Sequence, residues 1–231
     1  MPTTETIIMS VGGSLIVPGQ IDTDFLTKLK DFITDQTTNH GRRFILIAGG
    51  GRTARNYQEA AGTVTDLNPE DIDWMGIHAT RLNGHLLRTV FRDIAHPEMI
   101  TNPDTIQDIP GEPAVVIASG YRPGSSTDLI AVHIAQHVGA TKVINLSNID
   151  YVYTADPKTN PDATIIERSS WEEFRALIPD KWNPGMSAPF DPVAAKAAER
   201  SGMEVSIING MKPEALASYL AGEEFVGTLI S

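Results

Sequence analysis

The sequence predicts an α/β chain, a three-layer αβα sandwich with a mainly parallel central sheet. Three observations carry that reading: short apolar runs rich in β-branched residues recur along the chain, segments with apolar residues at helical spacing lie between them, and the two signals alternate. The runs are Ile7 to Val11, Phe44 to Ala48, Ala114 to Ala118, Lys142 to Leu146 and Glu204 to Ile208, each unbroken enough to be a strand buried on both faces. Phe225 to Ile230 reads as a closing strand.

Helical spacing links Phe25, Leu26, Leu29, Phe32 and Ile33, and again Ile72, Met75, Ala79, Leu82, Leu86 and Val90. Several helix starts carry their own chemistry. Asn68 precedes Pro69, Asp191 precedes Pro192, and Ser170 has Glu173 three residues on, the spacing of a capping box. Asn102 to Pro113 and Pro179 to Pro189 are rich in proline and polar residues and read as loops or short irregular pieces. No internal repeat or low-complexity tract interrupts the pattern.

A chain of 231 residues that is 41% hydrophobic can bury a full core, so one domain over residues 1–231 is expected. Lysine and arginine total 18 against 29 for aspartate and glutamate, a formal charge of −11 that repels a polyanionic duplex; nucleic acid is not an expected partner. The absence of cysteine excludes disulfides, thiolate metal sites and cysteine nucleophiles and suits a reducing compartment, with the cytoplasm as the expected location. The apolar run after Thr6 is too short for a signal h-region or a membrane span, so no membrane partner is expected.

The chemistry lies where strands end. Gly12, Gly13 and Ser14 follow the first run, Gly49, Gly50 and Gly51 the second, and Gly120 through Gly124, Ser125, Ser126 and Thr127 the third. Ligands collect at the carboxyl ends of strands in an open α/β sheet. Glycine lets backbone N–H groups converge on an anion, and the helix that follows adds positive potential. One glycine after a strand is usually just a turn; three such turns in one chain point to phosphate binding. No G-x-x-x-x-G-K-[ST] occurs and no G-x-G-x-x-G follows a strand, so the nucleotide is held by another scheme.

Five strings, in order, make the reading specific: V-G-G-S-L-I-V-P at Val11 to Pro18, A-G-G-G-R-T-A-R at Ala48 to Arg55, G-Y-R-P-G-S-S-T-D at Gly120 to Asp128, N-I-D-Y-V-Y-T-A-D-P at Asn148 to Pro157, and F-D-P-V-A-A-K at Phe190 to Lys196. Together they resemble the amino acid kinase family, and within it the archaeal type that phosphorylates UMP. The resemblance implies a kinase that moves the γ-phosphoryl group of ATP, with Mg²⁺, to UMP in pyrimidine nucleotide synthesis. It also implies a homo-oligomer, a hexamer built from three dimers.

Position by position, the resemblance puts Gly12, Gly13 and Ser14 at the phosphates being transferred, Gly50 at the UMP phosphate, and Gly51 and Arg55 on the ATP side. Asp73 would accept hydrogen bonds from the ribose of UMP; as a first-turn aspartate after Asn68 and Pro69 it would also complement the helix dipole. Tyr121, Arg122, Pro123, Gly124, Ser125, Ser126 and Thr127 would form the UMP loop, and Asp128 would orient neighbouring cations. Ser147, Asn148, Tyr153 and Asp156, with Gly13 and Ser14, would hold ATP. Transfer between phosphates needs alignment and charge screening more than a general base, because the accepting oxygen is already ionised. Arg52 and Arg55, three apart after the triple glycine, share a helix face.

Two positions depart from the family pattern. Val11 stands where many relatives have lysine, and Tyr151 where glycine is usual. His133 and His137, like His78 and His85, are near enough on a helix to share a metal, but no third ligand accompanies either pair, and ordinary polar helix positions explain them better. No metal site built from protein ligands is expected. Lys196 either orders the site or packs its stem along a helix. Molybdenum storage proteins, which bind ATP and accumulate oxyanion clusters, closely resemble this type, and the ending I-N-G-M-K-P-E-A-L with V-G-T-L-I at Val226 to Ile230 looks like theirs as well; a kinase for another small phosphorylated acceptor is the third reading.

Overall fold

The computed structural model describes residues 5–109, 113–181 and 188–231. In chain order the elements are β1 (Thr6–Val11), α1 (Gly13–Ile16), α2 (Thr23–Asn39), β2 (Arg43–Ala48), α3 (Gly51–Val64), α4 (Pro69–Val90), a 3-10 helix (Pro103–Asp108), β3 (Val115–Ala118), α5 (Thr127–Val138), β4 (Lys142–Ser147), β5 (Val152–Tyr153), β6 (Ile165–Ile166), β7 (Arg168–Ser169), α6 (Trp171–Leu177), α7 (Pro192–Arg200), β8 (Glu204–Asn209), α8 (Pro213–Ala221) and β9 (Gly227–Ile230). Each predicted strand is present. Of the predicted loops, 102–109, 113, 179–181 and 188–189 fall among the described residues, and the first holds the 3-10 helix; 110–112 and 182–187 lie outside them.

Seven strands form the main sheet in the order β3-β2-β1-β4-β8-β9-β7, and β5 and β6 make a separate antiparallel pair. All neighbours in the main sheet are parallel except β8 and β9. The chain builds outward from β1 through β2 to β3, then crosses back to lay β4 on the other side of β1. Order therefore reverses at β1 and β4, and the crevice beyond their carboxyl ends is where an open sheet of this kind takes ligand.

Alternation along the strands divides the core between the two sheet faces. Ile8, Ile45, Ile47, Val116 and Val143 pack with Ile130, Ile134, Phe174 and Ala195 of α5, α6 and α7 on one side. Ile7, Met9, Phe44, Leu46, Val115 and Ile144 pack with Phe25, Leu29, Leu87 and Leu216 of α2, α4 and α8 on the other. Every one of these side chains is less than a tenth exposed. Full burial of an aliphatic or aromatic side chain of this size is worth about 1.5–3 kcal/mol, so this two-sided core holds the strand ends in register.

The helix starts follow their sequence signals. Asn68 accepts from the Asp71 N–H at 2.8 Å, Asp191 accepts from Ala194, and Ser170 with Glu173 forms the full capping box. In α4 the buried face differs from the apolar stripe: Ile77, Ala79, Thr80, Asn83, Gly84 and Leu87 are buried, while Leu82 is 63% exposed. Among the described residues, no helix is long and apolar enough to cross a membrane.

Candidate active site

Two glycine turns lock together at the carboxyl ends of β1 and β2. A side chain on Gly13 would collide with the backbone of Gly49, Gly50 and Gly51, and one on Gly51 would collide with Gly13 in return. Gly51 also has φ +61°, a conformation that glycine adopts at little cost. The Gly12 N–H donates to the Leu146 carbonyl at 2.9 Å and the Gly49 N–H to that of Val11 at 2.9 Å. Gly12, expected among the transfer residues, thus spends its N–H on β4, and its missing side chain makes room for the Leu146 oxygen. Gly13 and Ser14 open α1, where first-turn N–H groups have no partner within the helix.

Beside the triple glycine is a cavity of about 270 Å³. Gly50, Gly51 and Arg55 line one wall, Asp73, Gly76 and Thr80 of α4 a second, and Gly120, Ser125, Ser126, Thr127 and Asp128 a third. Residues of the second and third strings and of α4 therefore meet around one space. Arg52 and Arg55, though three apart, divide their work. Arg52 makes a paired contact with the Glu59 carboxylate at 3.0 and 2.9 Å, whereas Arg55 has no carboxylate partner among the described residues.

Asp73 lies beyond the first helical turn, where Glu70 and Asp71 already complement the dipole. Its carboxylate instead accepts from the Gly124 N–H at 2.8 Å, across 51 residues of sequence. Burial raises the Asp73 pKa above the usual carboxylate value, against the lowering effect of that bond. The same loop is tied down further along α4: the Gly120 N–H donates to Thr80 Oγ1 at 2.8 Å, and Arg81 donates to the carbonyls of Gly120 and Tyr121 at 3.2 and 3.0 Å. Arg122 stacks over the Tyr121 ring at 5.1 Å, and neither side chain lines the cavity, nor does Pro123. Ser126 caps α5 by accepting from the Leu129 N–H.

Asp128 sits at the start of α5 over three groups, of which the sequence marks only Asp191, and that as a helix start. It accepts from Ser10 Oγ at 3.0 Å, from Asn145 Nδ2 at 3.4 Å and from the Asp191 N–H at 3.2 Å. Burial, and next the Asp191 carboxylate, push its pKa up to about 6 against the lowering bonds from Asp191 and Ser10. Asp191, buried at the start of α7, is raised by burial as well. Ser10 and Asn145 are register partners on β1 and β4. Their signal was in the sequence: each is a polar residue inside an otherwise apolar strand, close to its carboxyl end.

The string expected to hold ATP does not join this cavity. Ser147 ends β4 and its carbonyl accepts from the Gly210 N–H; Asn148 follows it. Tyr153 pairs with Ile165 in the small β5–β6 ribbon, and Asp156 closes a local turn by accepting from the Lys158 N–H at 2.9 Å. Asp150, the aspartate of N-I-D, bonds Asn209 at 2.7 Å and Lys212 at 2.8 Å, tying the β4 and β8 ends together. These bonds hold Asp150 below the usual carboxylate range and raise Lys212. Tyr151 and Lys212 border a second, larger cavity of about 570 Å³.

Val11 is fully buried in the β1 ladder and brings no charge to the site. Of the histidines, His137 bonds Asp104 at 3.1 Å and His78 stacks on Trp74 at 5.9 Å. Burial, then His137, lowers the pKa of His133. Among the described residues no group of three or more histidine, aspartate or glutamate side chains is arranged to hold a metal. Lys196 donates to the Asp180 carbonyl at 3.0 Å.

A reversed parallel sheet, interlocked glycine turns and a cation facing a cavity at the ends of β2 and β3 define a phosphate-handling α/β protein. The chain belongs to the amino acid kinase family, whose model matches residues 5–209. It is similar to the uridylate kinase of Hyperthermus butylicus, 33% identical over 225 residues and 97% of each chain. It is likewise similar to that of Pyrococcus abyssi, 32% identical over 214 residues, covering 92% of this chain and 93% of the other. The crystal structure of uridylate kinase from Archaeoglobus fulgidus superposes with a TM-score of 0.82 at 28% identity, over 99% of this chain and 100% of that one.

Proposed function

We propose that this chain is a UMP kinase that transfers the γ-phosphoryl group of ATP to UMP, giving UDP and ADP. The observation that carries the reading is the meeting of Gly50, Arg55, Asp73 and the Gly120 to Asp128 loop around one cavity at the carboxyl ends of parallel strands. A phosphate oxygen of UMP attacks the γ-phosphorus, and the bond from that phosphorus to the oxygen bridging it to the β-phosphate breaks as ADP leaves. The attacking oxygen is already ionised, so the residues align and screen charge. Asp73 and the loop hold the nucleoside, Gly13, Ser14, Gly50 and Gly51 offer backbone N–H groups to the phosphates, and Arg55 spans donor and acceptor.

The donor set fits a divalent cation such as Mg²⁺, which keeps several waters and uses one or two carboxylates plus substrate phosphates. Asp128 and Asp191 are two enclosed carboxylates, both raised in pKa chiefly by burial. When bound, such an ion would screen the polyphosphate. Gly51, Ser147, Asn148, Tyr153 and Asp156 complete the reading on the ATP side. A single domain, a cytoplasmic location and assembly into a hexamer of three dimers belong to the same proposal, and the assembly is checked by light scattering of the purified protein.

The deciding experiment is a panel of nucleoside monophosphates incubated with ATP and Mg²⁺. UDP from UMP, in preference to products from other acceptors, is the expected result. ATP binding with no product from UMP would overturn the reading in favour of a storage-type protein, and turnover of a different acceptor would reassign the substrate.

A further inference from the structure

The geometry points to Asn83 as a positioning residue for phosphoryl transfer, one that aims two peptide N–H groups of the triple-glycine turn at the phosphates; the inference rests on the kinase reading above. Asn83 is 3% exposed on the buried face of α4 and does not border the cavity. Its Nδ2 donates to the Gly49 carbonyl at 2.8 Å and to the Gly50 carbonyl at 3.0 Å, so one amide group holds two consecutive peptide planes. In a planar trans peptide the N–H points opposite to the carbonyl, and no cis bond occurs among the described residues. With both oxygens drawn toward Asn83, the N–H groups of Gly50 and Gly51 face away from it. Both glycines border the cavity, whereas Asn83 does not.

The neighbouring N–H groups are already taken. Gly49 donates to Val11 and Arg52 donates to Val17, each at 2.9 Å, whereas the N–H groups of Gly50 and Gly51 meet no protein acceptor among the described residues. Gly50 is right-handed at φ −79° and ψ −35°, and Gly51 is left-handed at φ +61°, an alternation that makes successive N–H groups converge on an anion. Asn83 reaches the turn because the next residue is glycine: a side chain at Gly84 would meet Met99 and, at 3.3 Å, Ser119. The helix thereby comes close enough for a short amide to hold the turn from beneath. Donors fixed in advance are worth most where charge develops during reaction, so the effect of Asn83 falls on kcat more than on substrate binding.

The test is kinetic and spectroscopic. Asn83→Ala should lower kcat by about tenfold or more, as loss of aligned donors does. KM for UMP should stay within about threefold, because Asp73 and the loop still hold the nucleoside. A folded Asn83→Ala protein with wild-type kcat overturns the inference. Should that variant fail to fold, the wild type decides: the backbone amide resonances of Gly50 and Gly51 should move on saturation with UMP and a non-hydrolysable ATP analogue. If wild-type protein makes UDP while both resonances stay in place, the positioning role falls and the kinase reading stands. If it makes no UDP the kinase reading falls, and movement of the two amides with ATP alone still supports their aim at phosphate, while no movement ends both.

Discussion

The acceptor and donor sides of the candidate site are built differently. Around the first cavity, side chains hold backbone groups far away in sequence: Asp73 holds Gly124 across 51 residues, Arg81 holds Tyr121 across 40, and Asn83 holds Gly49 across 34. On the other side, Asp150 holds Asn209 and Lys212 across 59 and 62 residues where the string leaves β4, but beyond it Asp156 holds a turn only two residues ahead, and β5 and β6 are two residues each. Long-range clamps fix a geometry before ligand arrives, at the cost of ordering the chain during folding. Short local turns leave the approach of the larger nucleotide to be set when it binds.

The sharpest way to break this contrast is Arg55→Ala. Arg55 is the cavity arginine without a carboxylate partner among the described residues, while Arg52 is occupied by Glu59. Loss of one such aligned cation should lower kcat/KM by about 10²–10³-fold with the circular dichroism spectrum unchanged, by analogy with removal of a single oxyanion donor. Arg52→Ala, examined in parallel, should change kcat/KM by less than about threefold, since an exposed ion pair contributes little. Equal losses in the two variants would show that the arginines share one role.

Asp73→Asn comes next in size. Hydrogen bonds to a charged group are worth about 1.5–3 kcal/mol, so KM for UMP should rise by about tenfold or more while KM for ATP stays within about twofold. The contrast predicts that split. A rise in both constants would mean that Asp73 serves the whole loop through Gly124 rather than the acceptor alone.

The strands and the three glycine turns were legible because a parallel strand covered on both faces must be continuously apolar, and because a turn that meets another backbone tolerates no side chain. The resemblance supplied Asp73, Arg55 and the loop. What stayed hidden was the underside of the site. The apolar stripe of α4 runs through Leu82, but the buried face carries Thr80 and Asn83, whose polarity conceals their burial from any hydrophobic pattern. Ser10 and Asn145 escaped for a related reason: both bond Asp128, and only the sheet register brings them to it, while Asp191 was legible as a helix cap but not as a third partner there.

Asp128 gives a stability test of the same underside. Its folded pKa of about 6 lies above the ordinary 3.8, so the folded state binds this proton more tightly than the unfolded chain does. The stability contributed by this group is fully present below pH 3.8 and is lost as pH rises through 6. Asp128→Asn removes the buried charge and should therefore melt higher than wild type at pH 8, by an amount on the order of 1–3 kcal/mol, with the advantage gone near pH 4. A melting difference independent of pH would mean that Asp128 is already neutralised by a partner in the wild type.

The smallest expected effect probes the donor side. Tyr151 occupies a place that is usually glycine in the family pattern and borders the second cavity beside Lys212. Tyr151→Gly should shift KM for ATP by about two- to fivefold and leave KM for UMP unchanged, because ground-state contacts on one substrate act on that substrate alone. The result bears directly on how separately the two sides are built. If KM for UMP moved as well, the Asp150, Asn209 and Lys212 cluster at the ends of β4 and β8 would be passing strain through Leu146 to Gly12, whose N–H rests on that carbonyl. The two sides would then be one mechanical unit joined across β1 and β4, and the local character of the donor side would hold only for the β5–β6 ribbon and the Asp156 turn.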